Sequence, residues 1–462
     1  MSSTGAGRGS AGTAGFVLTG CSLLPLQQRA SLGCRRVSRL RSYVLLAAIV
    51  AGPRIVALAY ERNDILTSFT DKSDDFDRTF LASGTYGFVA GHPSAYTQPL
   101  YGFFLLPLYR IFGRHWEVVG LAHIAVAVAT AFLVYEIGRR VASRRVGLIG
   151  AAIASLHPYL IWHDIHMNRE ILDHFLAAAI VLLTLVAADR PSVRITAMLG
   201  LALGLGVLGN VRLAALPLVV VGFLLWRQGI DKRTVGFALL VLAVTAVTIT
   251  PWIVRNRVSV GCYAVTTDAR ALWKANNVNT YDTLTHGGWI DAVPRYPGSP
   301  PTPEDVYQRY LATGVYIPVD ECAQMRFFQH KTHDFWLHHS GEKAKLALLS
   351  AQMLWQPSVV ETGGRPGEGT WLDTLRSSSE PLFMIPRYCL AVAGLFFVPR
   401  AFAVLCVLLL AYQTAVAMIF VGVTRYRVPW DFLLALLAAT ALVALARRLR
   451  DTRLAGQPRS ES

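Results

Sequence analysis

Residues 117–163 read EVVGLAHIAVAVATAFLVYEIGRRVASRRVGLIGAAIASLHPYLIWH. Two apolar runs flank a short linker that carries Arg139, Arg140, Arg144 and Arg145. The first run, 117–137, is long enough for a membrane span, which takes about 20 mostly apolar residues. The four arginines mark its end. Arginine and lysine collect in the cytoplasmic loops of membrane proteins, so this linker sets the orientation of the segments around it.

The same alternation recurs in both directions along the chain. Apolar segments at 42–60, 117–137, 146–163, 170–188, 195–210, 212–226, 234–254, 385–398, 401–420 and 429–446 predict about ten spans. Basic clusters fall between them: Arg35 to Arg41, Arg190 and Arg194, Arg227 to Arg233, and Arg447 to Arg453. All of them reach the cytoplasmic side only if a further apolar stretch, 99–113, does not cross. That stretch is therefore expected to lie along the outer membrane surface as an interfacial helix.

Composition agrees. Of 462 residues, 53% are hydrophobic and only 16% charged, against about 25% charged in a soluble domain. Lipid must be the solvent for much of the chain. The net charge of +15 comes in short bursts between apolar runs, not on one face. That pattern excludes nucleic acid as a partner and makes membrane lipids the surroundings.

The expected organisation follows. Residues 1–41, rich in Gly, Ser and Arg, read as a disordered cytoplasmic N-terminus. Leu18-Thr19-Gly20-Cys21 resembles a lipoprotein cleavage box, but a weak apolar stretch precedes it and arginines follow. Residues 42–254 form a transmembrane domain whose first extracytoplasmic loop is 61–116. Residues 255–384 form a large extracytoplasmic loop region with helices near 304–311 and 322–349, an irregular stretch at 294–303 and a flexible turn at 363–369. Residues 385–446 return to the membrane, and 447–462 are a cytoplasmic tail. Cys262 and Cys322 are the two cysteines of the large loop; they either bridge or stay buried as free thiols. Cys389 and Cys406 lie in apolar runs and read as packing residues.

Chemistry concentrates on the outer side. Asp71-Lys72-Ser73-Asp74-Asp75-Phe76-Asp77 places four carboxylates just beyond the first span, followed by the aromatic stretches 84–88 and 96–101. Carboxylates accept hydrogen bonds from sugar hydroxyls, aromatic faces stack on pyranose faces, and a carboxylate is a natural general base for an attacking hydroxyl. His157, His163, Asp164, His166 and Glu170 form a second cluster, without the HExxH spacing of a zinc site; no metal is assigned to it. Arg255, Arg257, Arg425 and Arg427 sit at outer ends of spans, where arginine is otherwise scarce. They either meet lipid headgroups or hold a phosphate, which a guanidinium grips with two parallel hydrogen bonds. Walker A, dinucleotide-binding and GxSxG motifs are missing from the sequence. Gly204-Leu205-Gly206, inside an apolar run, reads as a packing site.

In order along the chain stand Asp71-Lys72-Ser73-Asp74, Leu81-Ala82-Ser83-Gly84, Pro99-Leu100-Tyr101, Glu170, Thr250-Pro251-Trp252-Ile253-Val254-Arg255-Asn256, Leu272-Trp273-Lys274-Ala275-Asn276-Asn277 and Arg425-Tyr426-Arg427-Val428-Pro429. From about residue 42 to 446 this order resembles the GT-C polyprenyl-phosphate-dependent glycosyltransferases of bacteria. These are relatives of protein O-mannosyltransferases and of the aminoarabinose transferases that modify lipid A. The sequence departs from the family at Asp75, where a Tyr is usual, and at Lys72, where some members carry Glu.

The resemblance implies an all-α polytopic membrane protein of GT-C type. It implies an inverting glycosyltransferase that takes a sugar from a polyprenyl-phosphate donor on the extracytoplasmic side and passes it to a lipid, glycan or protein acceptor, with no cofactor. Asp71 is the expected base, with Asp74 in reserve. Tyr101, Glu170, Arg255, Asn256, Arg425, Tyr426 and Arg427 are the expected substrate-binding residues. Arg255, Arg425 and Arg427 are expected to converge on one cavity that reaches Asp71. A transporter or flippase of a lipid-linked sugar is the alternative; it calls for charge at mid-membrane depth and broken helices.

Overall fold

In the computed structural model the described residues are 26–68, 70–358 and 371–455. The expected turn at 363–369 lies outside them. Among the described residues the secondary structure is helical, and a single β-bridge joins Val89 and His92.

The chain opens with α1 (Leu26–Tyr60), then α2 (Lys72–Ser83), α3 (Pro99–Phe112), α4 (Trp116–Val141), α5 (Arg144–Ser155) and α6 (Pro158–His163). Next come α7 (Glu170–Asp189), α8 (Val193–Gly209), α9 (Leu216–Gln228) and α10 (Lys232–Ser259). The large loop holds α11 (Arg270–Lys274), α12 (Thr280–Thr285), α13 (Pro303–Thr313), α14 (Glu321–His338) and α15 (Ser340–Trp355). The chain closes with α16 (Trp371–Gly394), α17 (Arg400–Ile419), α18 (Thr424–Arg427) and α19 (Asp431–Ala455). Residues 26–41, expected to be disordered, are already helical in α1.

Among the described residues, seven helical segments are long and apolar enough to cross a membrane: Leu40–Tyr60, Trp116–Val141, Glu170–Asp189, Val211–Gln228, Lys232–Ser259, Arg400–Ile419 and Thr424–Thr452. The last is the most buried and forms the centre of the bundle, against α5 and α16. The expected span at 146–163 is broken. Pro158 cannot continue the helix before it and holds His157 at φ −59° and ψ 123°. The 12 residues of α5 reach about 18 Å, short of the roughly 30 Å of hydrocarbon. The 14 residues of α3 reach about 21 Å, also too short to cross. Its exposed Phe103, Ile111 and Phe112 suit a surface position.

Small residues set the packing of α8 on α10. A Cβ on Gly200 would stand 2.7 Å from the Val241 carbonyl oxygen, and one on Gly204 would stand 2.6 Å from Cβ of Thr248. Only glycine lets the two backbones approach this closely. Gly206 has ordinary space around it, so the packing role falls on Gly204 and its partner one turn earlier.

The loop helices appear where charged and apolar positions interleave. Thr302 starts α13 with a capping box that pairs it with Asp305. The expected helix at 322–349 is two, divided at His339. Cys262 and Cys322 are bridged, with Cα atoms 5.8 Å apart, which ties the chain just beyond α10 to the start of α14. Cys406 is buried and free; Cys389 is free and exposed.

Candidate active site

Asp71 is the N-cap of α2. Its Oδ1 accepts from the Ser73 amide at 2.9 Å and from Ser73 Oγ at 2.7 Å. Its own amide donates to the Met167 carbonyl at 3.0 Å, which joins the first loop to the segment before α7. The second oxygen, Oδ2, faces Arg169 Nε at 3.9 Å. Beside Asp71 opens a cavity of about 600 Å³ that runs from the 210–212 turn to the loop helices.

The inner end of the cavity carries Asp71, Arg169, Glu170, Arg212, Arg425 and Tyr426. Glu170 opens α7 and stands 3.9 Å from Arg425 Nε. Arg425 Nη2 donates to the Tyr426 hydroxyl at 2.7 Å, and the enclosed Nε of this half-buried arginine makes no hydrogen bond. The Arg212 guanidinium lies 3.5 Å over the Tyr426 ring. Three arginines thus meet two carboxylates, a surplus of one positive charge. The outer end carries Lys72, Arg270 and Lys274 with Asp268, Asp291, Glu304 and Asp305. Lys72 Nζ bonds Glu304 at 2.9 Å and lies 3.6 Å from Asp268, which fastens α2 to the large loop.

Asp71, Glu170, Arg425 and Tyr426 line one cavity. The other candidates do not. Both oxygens of Asp74 are taken by Arg114, at 2.8 Å each, and Tyr109 adds a hydrogen bond of 2.7 Å. One turn into α2, Asp74 faces the α3 side and not the cavity. Arg255 sits in α10, which continues to Ser259. From there it donates to the Ser94 and Tyr86 carbonyls at 2.8 and 2.9 Å. Asn256 accepts from Arg255 at 3.0 Å and donates to the Ala264 carbonyl at 2.8 Å. This pair pins the first loop to the end of α10. Arg427 is buried, 3.2 Å from Asp431, and donates to the Leu354 and Gln356 carbonyls. Tyr101 is buried on α3 with its hydroxyl 3.1 Å from His123 Nε2. The expected convergence of Arg255, Arg425 and Arg427 is thus replaced by Arg169, Arg212 and Arg425.

Arg169 adjoins Glu170 in the sequence but belongs to none of the motifs. Arg212 was visible as a charge within an apolar run. Lys274 lies in the 272–277 motif, whereas nothing local in the sequence marks Arg270; both reach the cavity from α11. In the histidine cluster, Asp164 pairs with the buried Arg54 at 2.7 Å. His163 stacks on Tyr159, and His166 Nδ1 lies 2.9 Å from the Trp162 carbonyl.

Asp77, the fourth carboxylate of the first loop, is buried and neither of its oxygens has a hydrogen-bond partner. Burial, and then the nearby Asp74 and Asp71 carboxylates, push it up to about 8. It therefore stays protonated at neutral pH.

Residues 92–254, about a third of the chain, match the family model for dolichyl-phosphate-mannose-protein mannosyltransferases. The oligosaccharyltransferase AglB of Archaeoglobus fulgidus, solved with an inhibitory peptide and a dolichol-phosphate, shares the fold. Its TM-score is 0.51 at 14% identity, over 93% of this chain and 53% of that one. The chain thus spans about half the length of that enzyme. ArnT of Cupriavidus metallidurans, solved bound to undecaprenyl phosphate, matches at a TM-score of 0.42 and 14% identity, over 87% of this chain and 78% of that one. At that score the likeness carries no argument. No curated protein sequence matches the chain. Over residues 92–254 this multi-pass membrane protein is similar to that family, and its described residues share the fold of AglB.

Proposed function

We propose that the protein is an inverting glycosyltransferase that moves a sugar from a polyprenyl phosphate to an acceptor hydroxyl on the extracytoplasmic side. One observation carries the reading. A capped carboxylate, Asp71, opens onto the same cavity as Arg169, Arg212 and Arg425, whose charge exceeds that of the carboxylates beside them. The dolichol-phosphate in the AglB structure supports a polyprenyl-phosphate donor.

The chemistry is a single displacement. The acceptor hydroxyl gives its proton to Asp71 Oδ2 as its oxygen bonds to the anomeric carbon. The bond from that carbon to the phosphate oxygen breaks, and the lipid phosphate leaves with the electron pair. Attack opposite to the leaving group inverts the anomeric centre. Charge grows on the phosphate as the bond breaks, and preorganised cations there lower the barrier. Arg425, with its unsatisfied Nε, and Arg212 are placed for this. Ser73 holds Asp71 Oδ1, so Oδ2 is the oxygen left for the proton.

The Cys262–Cys322 bridge supports the sidedness. Disulfides persist in oxidising compartments, and the loop that carries this one also lines the cavity. A carrier for lipid-linked sugars would need polar groups along a route through the bundle. The buried charges at Arg54, Asp164, Arg387, Arg427 and Asp431 instead pair among themselves.

The test is transfer itself. Membranes that contain the protein receive radiolabelled polyprenyl-phosphate sugars one at a time. Label that moves from the lipid to a new product, absent with membranes lacking the protein, is the expected result. Label that stays on lipid with every donor contradicts the reading.

A further inference from the structure

Beyond the Asp71 cavity lies a second one, of about 550 Å³. A smaller space of about 140 Å³ stands between the two. The short helix α11 is common to all three. Arg270 and Lys274 border the Asp71 cavity and the small space, while Trp273 borders the small space and the outer cavity. The partition is made of side chains: Lys274 with Asp291 at 2.7 Å, and Asp305 with Arg270 at 2.7 Å and Arg295 at 2.5 Å.

The outer cavity combines one displayed ring with polar groups of both signs. Tyr296 is exposed, while Trp273 and Phe335 are buried. Trp273 meets the Tyr296 ring edge-on, at 6.2 Å and 85°, and Lys331 Nζ stands 4.8 Å over it. Asn279, Arg295, Asp334, His338 and His339 are among the other polar residues of the wall. Arg295 is held by Asp305 and Lys331 is balanced by Asp334, so the wall offers a free anion no surplus of positive charge. Peptide recognition by strand addition calls for a free strand edge, and the described residues here offer none. Sugars suit what is present. Their C–H faces pack on an aromatic ring, and their hydroxyls both give and accept hydrogen bonds from amide, carboxylate and ammonium groups.

We propose that the outer cavity is a carbohydrate subsite, with Tyr296 as its platform, that holds an inner sugar of an extended glycan acceptor. The ion-paired partition at α11 is the polar path between that sugar and the one whose hydroxyl reaches Asp71. The acceptor would then be a saccharide chain and not a lone small molecule. The binding site stands by itself; its assignment to the acceptor rests on the transferase reading above.

The experiment uses the full-length protein in lipid nanodiscs. The probes are mannose and its linear oligomers up to six units, and the matching arabinose series. Binding is followed by saturation-transfer NMR and by titration, without turnover. In at least one series, affinity is expected to rise with chain length. Tyr296→Ala should weaken the longest oligomer by roughly three- to tenfold and flatten the dependence on length. Tyr296→Phe, which keeps the ring, should retain it. A thermal melt like that of the wild type confirms that the alanine variant is folded. Affinity independent of length in both series overturns the proposal. So does a Tyr296→Ala variant that binds like the wild type, or displacement of the oligomer from this cavity by a sugar-free peptide. If length-dependent binding is lost in Tyr296→Ala but no donor sugar is ever transferred, the subsite stands and the transferase reading falls.

Discussion

Arg425 and Arg427 stand two residues apart on one short helix, yet they belong to different parts of the molecule. Arg425 faces the cavity, across from Glu170, with a donor unused. Arg427 is buried against Asp431 and two backbone carbonyls. Residues two apart on a helix of 3.6 residues per turn point about 200° apart, so neighbouring arginines cannot share a ligand. One motif therefore serves two purposes. Its first arginine is available to a substrate, and its second holds α18 to α19 and to the end of α15.

The largest effect is expected where the scaffold is cut. Arg427→Ala strips Asp431 of one partner and leaves the Leu354 and Gln356 carbonyls unmatched. Breaking a buried pair costs about 3–5 kcal/mol, so this variant should melt at a much lower temperature in detergent. A variant that melts like the wild type but no longer uses donor would break the comparison, since Arg427 would then act on substrate.

Arg425→Ala should do the reverse. The protein should fold, and donor use should weaken by about 1–3 kcal/mol, the scale of a hydrogen bond to a charged group. Arg425→Lys should restore little, because an ammonium cannot copy the guanidinium fork. Donor titrations of the three proteins check this. Unchanged donor dependence in Arg425→Ala would move the phosphate site to Arg169 and Arg212.

A milder effect is expected at Asp77. Its folded pKa, near 8, exceeds the ordinary value of about 3.9. Between those two values the folded state binds the extra proton, so this group makes stability fall as pH rises. The loss is complete above about pH 8. Asp77→Asn should remove that slope and so stabilise the protein at pH 8, with little change near pH 4. Thermal melts across that range decide it; parallel curves for the two proteins would mean that Asp77 finds a partner.

The smallest expected effect is none at all. Every acid that lines the cavity already faces a basic side chain: Asp71 Arg169, Glu170 Arg425, Asp268 and Glu304 Lys72, Asp291 Lys274, and Asp305 Arg270. A divalent cation would have to displace those partners. Transfer should therefore persist in a chelator, and its loss, with recovery on adding metal back, would show that the pairs open.

Much of this was legible in the sequence, and each exception has its own physical cause. Long apolar runs announce α4, α7, α10 and α17 because lipid demands them. The break before Pro158 was passed over because hydropathy averages run through a single proline. Glu170 and Arg425 were found from their motifs, as was Asp71. Asp74, Arg255 and Arg427 carry the same motifs but face away from the cavity. Sequence places them on the correct end of the bundle and says nothing of rotation about a helix axis. Arg270 and Lys274 come from α11, whose position depends on the large loop packing as a unit. No local pattern reports that. The disulfide was one of two readings, and the 5.8 Å separation of the Cα atoms chose between them.

The two carboxylates of α2 repeat the contrast between the two arginines, and they offer the most direct measurement. Asp71 caps the helix at the cavity; Asp74, one turn on, is clamped by Arg114 and Tyr109. Membranes with equal amounts of the wild type, Asp71→Asn and Asp74→Asn receive the labelled donor that the wild type uses, and initial rates are compared alongside melting temperatures. Asp71→Asn is expected to fold normally and to lose about 10²–10⁴-fold in rate, as removal of a general base does. Asp74→Asn is expected to lose stability first, and to keep turnover in the fraction that stays folded. Full turnover in Asp71→Asn would contradict the account.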